Sequence, residues 1–138
     1  MEAFANSDIG KVRDMNQDSY YISDKDDKIK LYIVADGMGG YKGGEIASKL
    51  AIESSKNYII NNFDQIKKER DQIIELIKNA IEYANMVVYE KSKEVPELAG
   101  MGTTIDVCLI YSNRIYIGHI GDSRVYRLRK DFFRKLTV

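Results

Sequence analysis

The sequence is most informative first in what it has little of. Its 138 residues hold one cysteine, one proline, one histidine and no tryptophan. A single Cys108 excludes an internal disulfide, and a single His119 gives little support to a zinc site built on histidines or to a Ser-His-Asp hydrolase. There is no excess of either charge: 21 Lys and Arg balance 21 Asp and Glu. This removes the usual electrostatic argument for nucleic acid or an anionic membrane, which needs a basic face. No apolar run approaches the roughly 20 residues of a spanning helix. The N-terminus has neither a basic start nor a signal-type apolar stretch, and Asn-x-Ser/Thr is absent. With 44% hydrophobic residues, the chain has enough apolar mass for a core and too much for disorder. These features predict one soluble, cytoplasmic domain or part of one, with no nucleic-acid or membrane partner.

The pattern along the chain predicts α+β organisation. Asp18 to Ile22 reads as extended, and the charged stretch Ser23 to Lys28 as a hairpin-like connection. Ile29 to Ala35 is an apolar, β-branched run of strand length, which stops at Asp36 and a glycine cluster. Ile46, Ala47, Leu50, Ala51, Ser54 and Tyr58 then recur at helical spacing. So do Ile73, Ile77, Ala80, Ala84 and Val87, flanked by Ile74, Ile81 and Val88, within 71–91. Pro96 and Gly100 close this second helix. Beyond it Ile105, Val107 and Leu109 alternate against Asp106, Cys108 and Ile110 in a strand. Ser112-Asn113 turns the chain into 115–120, and Gly121-Asp122 is read as a second turn, into 125–128. Strands, a helix pair and a meander predict an antiparallel sheet with helices on one side. Arg134 to Val138 reads as the start of another strand, which would leave an open sheet edge and a route to self-association.

Four clusters offer chemistry. In Val34-Ala35-Asp36-Gly37-Met38-Gly39-Gly40, a carboxylate at the end of a buried strand could hold a hard cation through oxygen, with the Gly37 carbonyl as a second ligand. It could equally cap the following turn or helix. The glycines do not form a phosphate loop. Lys42 lies between Tyr41 and Gly43, which breaks the Walker pattern, and it occupies the place where a dinucleotide fingerprint needs glycine. In Arg13-Asp14-Met15-Asn16-Gln17-Asp18, arginine offers a planar fork for phosphate and Asp18 could orient metal-bound water, or both could be surface ion pairs. Asp122, in Gly121-Asp122-Ser123-Arg124, could reach a metal site or form a local turn. The fourth cluster is Gly100-Met101-Gly102-Thr103-Thr104, small residues opening a strand. Strand parity points His119 to an apolar layer, as a packed or hydrogen-bonded histidine. Cys108 reads as packing, and Asp106 as facing solvent or a helix flank.

Taken together and in order, Arg13-x-x-Asn16-Gln17-Asp18, Asp36-Gly37-Met38-Gly39-Gly40, Gly102-Thr103-Thr104 and Gly121-Asp122-Ser123-Arg124 resemble the N-terminal part of the metal-dependent (type 2C) protein phosphatases in their short bacterial form. The resemblance spans essentially the whole chain, making residues 1–138 the N-terminal portion of a single catalytic domain. It implies an antiparallel β-sandwich flanked by helix pairs, here incomplete, and hydrolysis of phosphoserine and phosphothreonine in proteins at a centre of two Mn²⁺ or Mg²⁺ ions. Asp36 would bridge the ions, Gly37 would give its carbonyl to one, Asp18 would act through water, and Arg13 would hold the substrate phosphate. Asp122 would help to bind a third ion. The partners implied are phosphorylated proteins and a serine/threonine kinase that makes them; a non-catalytic phosphoprotein-binding module is the alternative. Met38 stands where many members carry a histidine that protonates the leaving alcohol. By resemblance the family also continues beyond Val138 with two further metal-binding aspartates, so this chain is expected to be weakly active or inactive.

Overall fold

The computed structural model describes residues 1–138. The first seventeen residues form no helix or strand. Seven strands and two long helices follow: β1 (Asp18–Ile22), β2 (Lys30–Met38), α1 (Gly43–Asn62), α2 (Arg70–Glu94), β3 (Gly102–Thr103), β4 (Ile105–Tyr111), β5 (Arg114–Ile120), β6 (Tyr126–Arg129) and β7 (Phe132–Lys135). The main sheet has the order β1-β2-β4-β5, with β3 pairing the end of β2. Every pairing in it is antiparallel. The fold is α+β, as the sequence pattern predicts.

Strand alternation decides which face is the core. Leu31, Ile33 and Ala35 of β2 align with Ile105, Val107 and Leu109 of β4, and none of the six is more than 4% exposed. They pack under the helix pair, against Ala47, Ala51, Ile59, Ile73, Ile77 and Ala80. Gly118 on β5 brings the sheet close to α2, since a Cβ there would lie 2.5 Å from Ile77 Cγ2. The buried stripes follow the sequence reading at Ala47 and Ala51 of α1 and at Ile73, Ile77, Ala80 and Ala84 of α2, with the flanking Ile81 and Val88 buried as well. They depart from it where Ser55 and Ile59 are buried and not Ser54 and Tyr58, where Val87 is only partly buried, and at Ile74, which is 45% exposed. A broad apolar face fits more than one rotation of a helix, and tertiary contact selects among them.

The opposite face of the sheet is largely open. Tyr20, Val34 and Ile115 on it are each about half exposed. The chain does not form the expected meander after β5. Gly121-Asp122 leads away from the sheet, and β6 pairs only with β7, as a separate ribbon. That ribbon keeps Tyr126 stacked on Phe133, with ring centroids 4.9 Å apart, while Leu128 and Phe132 stay more than two-thirds exposed. The segment read as a strand beginning at Arg134 is thus the second arm of a hairpin. The surface measures 9621 Å², about 2,300 Å² more than a compact monomer of this mass presents.

The two faces therefore differ in what a truncation costs. Leu109→Ala on the helix face is expected to lower stability by about 2–5 kcal/mol. Ile115→Ala on the open face should stay within about 0.5 kcal/mol. Urea unfolding of the two variants checks both values.

Candidate metal centre

The β1–β2 hairpin places Asp18 directly opposite Asp36. Side chains so paired leave the sheet on the same side, with Cβ atoms about 4.5–5.5 Å apart. They emerge on the open face, because the alternate residues Ala35 and Gly37 are buried beneath α1. β2 runs past the point where its apolar residues end: it includes Asp36, Gly37 and Met38. Asp36 does not cap the helix. α1 begins after Lys42 with no side-chain cap, so the capping alternative drops out.

The backbone around the pair is tightly packed. A Cβ on Gly37 would fall 1.9 Å from the Gly44 carbonyl oxygen, and one on Gly44 would fall 2.5 Å from Gln17 Cδ. Only glycines let the start of α1 sit this close to β2. Gln17 ties the parts together: its carbonyl accepts from Gly37 N–H (3.1 Å) and from the Ser48 hydroxyl (2.8 Å). Its side-chain amide donates to the Gly39 carbonyl (3.2 Å). Ser48 Oγ also lies 3.1 Å from the Glu45 carbonyl and 3.0 Å from Ser19 Oγ, a hydroxyl pair in which either group can donate. Ser48 is fully buried on the core stripe of α1, a position whose polarity is the one sequence signal that could have revealed it. Asn16 accepts from Asp18 N–H (3.1 Å), which orders the turn before β1.

The Asp36 carboxyl is held above the ordinary carboxylate range. Desolvation by its surroundings is the main cause, followed by a hydrogen bond and charge repulsion from Asp18 and repulsion from Asp122, with Arg13 acting in the opposite direction. Asp18, Asp122 and Arg13, all singled out in the sequence, thus each lie within electrostatic reach of Asp36. Two carboxylates face each other across the hairpin, and a cation between them would relieve their mutual repulsion. Their donor set of oxygens suits Mg²⁺ or Mn²⁺. It is a pair and not a cage, for no three His, Cys, Asp or Glu side chains converge as a metal-binding group.

Against protein-family models, the chain matches that of protein phosphatase 2C over residues 11–138. The chain belongs to the protein phosphatase 2C family. It is 31% identical to the serine/threonine phosphatase stp of Listeria innocua, over 99% of the chain and 54% of that protein. It is 36% identical to the serine/threonine protein phosphatase PstP of Mycobacterium tuberculosis, over 96% of the chain and 24% of that protein. Among solved structures, the PstP catalytic domain in complex with two manganese ions superposes with a TM-score of 0.77 at 34% identity, over 96% of this chain and 53% of that one. A bacterial serine phosphatase bearing an R161E mutation gives 0.83 at 31%, over 96% and 59%. The chain spans about half the length of the Listeria relative and of these solved chains.

Two sequence readings on β4 and β5 resolve differently. His119 is hydrogen-bonded, as expected: its Nδ1 pairs with Asp106 Oδ1. Asp106, expected to face solvent or a helix flank, is only 3% exposed, because the β4–β5 register sets it directly opposite His119. Its Oδ2 has no hydrogen-bond partner. Burial pushes the Cys108 thiol up, consistent with a packing role. No helix is long and apolar enough to cross a membrane.

Gly37→Ala is expected to destabilise the fold by about 1–3 kcal/mol or more, since it meets backbone and not a side chain that can move; thermal unfolding measures this. The raised Asp36 carboxyl also sets a pH dependence. The folded chain holds this proton more tightly than the unfolded chain, so the contribution is favourable at acid pH and is lost as pH rises through the folded-state value. In chelator, Asp36→Asn should melt higher than the parent at neutral pH, and the difference should vanish at acid pH.

Proposed function

We propose that residues 1–138 are the N-terminal portion of the catalytic domain of a serine/threonine phosphoprotein phosphatase that uses Mn²⁺ or Mg²⁺. The observation that carries this reading is the opposed pair Asp18 and Asp36, within reach of Asp122 and Arg13, in a chain of this family. Asp36 and the Gly37 carbonyl would hold the metal ions, Asp18 would act through water, and Asp122 would contribute to a further ion. Divalent ions bound there would lower the pKa of bound water and neutralise charge on the phosphoryl oxygens.

The chain's own residues do the rest. The Arg13 guanidinium offers two parallel N–H donors to the substrate phosphate, and the N-terminal approach, without helix or strand, leaves it exposed for that contact. Asp18 and Asp36, fixed by the hairpin register, orient water on the open face of the sheet. Met38 is 61% exposed beside them and has no proton to give, so no side chain at that position protonates the leaving alcohol. The substrates would be phosphorylated proteins made by a serine/threonine kinase, in the cytoplasm.

Because the carboxylates come as a pair, turnover by this chain alone should be low. The same observation favours one second reading, a phosphoprotein-binding module that keeps Arg13 and does not cleave. Phosphate release from a phosphothreonine peptide, titrated with Mn²⁺, separates the two. The phosphatase reading expects slow, Mn²⁺-dependent release that Asp36→Ala abolishes. Peptide binding without release, lost in Arg13→Ala, would select the binding module. Turnover matching a relative of full length would overturn the incompleteness of the site.

A further inference from the structure

Gly102-Thr103-Thr104 has so far had no part in the site. The β2–β4 ladder runs as far as Val34↔Asp106, and β3 resumes it at Gly37↔Thr103 in the same register. Asp36 and Thr104 face each other in the gap. Thr104 N–H donates to the Asp36 carbonyl (2.9 Å), as a regular antiparallel pair requires. The reciprocal bond is different. Asp36 N–H donates to the Thr104 side-chain oxygen Oγ1 (3.0 Å), while the Thr104 carbonyl accepts from the Thr103 hydroxyl (2.8 Å). A hydroxyl therefore replaces a main-chain carbonyl at the residue that carries the central carboxylate.

The same side chain meets the Asp122 loop on both sides of Asp122. Thr104 Oγ1 lies 2.7 Å from Ser123 Oγ. Gly121, at φ +108°, lies flat against the Thr104 methyl: a Cβ there would be 2.6 Å from Thr104 Cγ2. Both ends of a threonine are thus in use, the hydroxyl toward Asp36 and Ser123, the methyl toward Gly121.

We propose that Thr104 is a positioning residue that braces the Asp36 strand to the Asp122 loop, so that the two carboxylates are set as one unit. Its consequence for metal rests on the reading of Asp36 as a metal ligand. Its mechanical part does not: loss of the hydroxyl leaves Asp36 N–H without its acceptor and frees the loop at Ser123. Groups that orient metal ligands from behind typically contribute about 10–100-fold to metal affinity.

The test compares Thr104→Val, which keeps the shape and the methyl but removes the hydroxyl, with Thr104→Ser, which keeps the hydroxyl. Amide hydrogen exchange without metal reads the brace directly. Thr104→Val should speed exchange at Asp36 and across 121–124 while the helix-face core stays protected, and Thr104→Ser should restore protection at Asp36. Ser123→Ala, outside the sheet, should loosen 121–124 and leave the Asp36 amide unchanged. Titration with Mn²⁺ alone, followed by electron paramagnetic resonance, should show about 10–100-fold weaker binding in Thr104→Val and near-parent binding in Thr104→Ser. Unchanged exchange at both places in Thr104→Val would overturn the brace. Parent-level Mn²⁺ affinity in that variant would overturn its role toward metal. If the parent chain bound no Mn²⁺, the metal reading of Asp36 would fall, and exchange would still decide the brace.

Discussion

The close approach of two backbones, β2 at Gly37 and the start of α1 at Gly44, governs the rest of the structure. With no side chain on either, the helix enters directly over the end of the strand, and Gln17 fills the remaining space from the N-terminal side. This closure fixes three things together: the pitch of α1 across the sheet, the loop through Gly39 and Gly40, and the last residue of the approach to β1. The Asp18–Asp36 pairing follows from it. A carboxylate pair that repels itself is unfavourable, and it persists because the surrounding backbone is over-determined. Such conflict between local preference and global fold is expected where a protein keeps a site.

Much of the fold was legible in the sequence because its signals were local. Ser112-Asn113 forms a two-residue hairpin turn in which both residues have positive φ, 50° and 61°. The alternation of Ile105, Val107 and Leu109 identified the core face of β4 correctly. What was not legible depends on register or on tertiary choice. Asp106 looked like a solvent-facing interruption until pairing put His119 beside it. Gly121-Asp122 has the composition of a hairpin turn, yet the contact of Gly121 with Thr104 directs the chain off the sheet. The α2 stripe was read correctly at Ile73, Ile77, Ala80 and Ala84, and the α1 stripe slipped by one residue only at Ser55 and Ile59, where polar and apolar residues adjoin.

The candidate site was legible in a different way. Arg13, Asp18, Asp36, Gly37 and Asp122 were named from motifs and their order, with each motif ambiguous alone. The structure brings Asp18, Asp122 and Arg13 within electrostatic reach of Asp36. The residues behind them, Gln17, Ser48 and Thr104, carry no chemical signature of their own. Their importance comes from bonds that span 22 to 68 residues of sequence, which no local pattern announces.

The open face of the sheet has a thermodynamic consequence. An unfolded chain of this mass exposes about 22,900 Å². With 9621 Å² remaining exposed when folded, only about 58% of that area is removed from water, a proportion typical of domains about 60 residues long. Denaturant sensitivity and the heat capacity of unfolding both scale with the area exposed. A chain that buries so small a share of its area is expected to unfold less cooperatively than globular domains of its own length, over a broader transition and with a flatter stability curve.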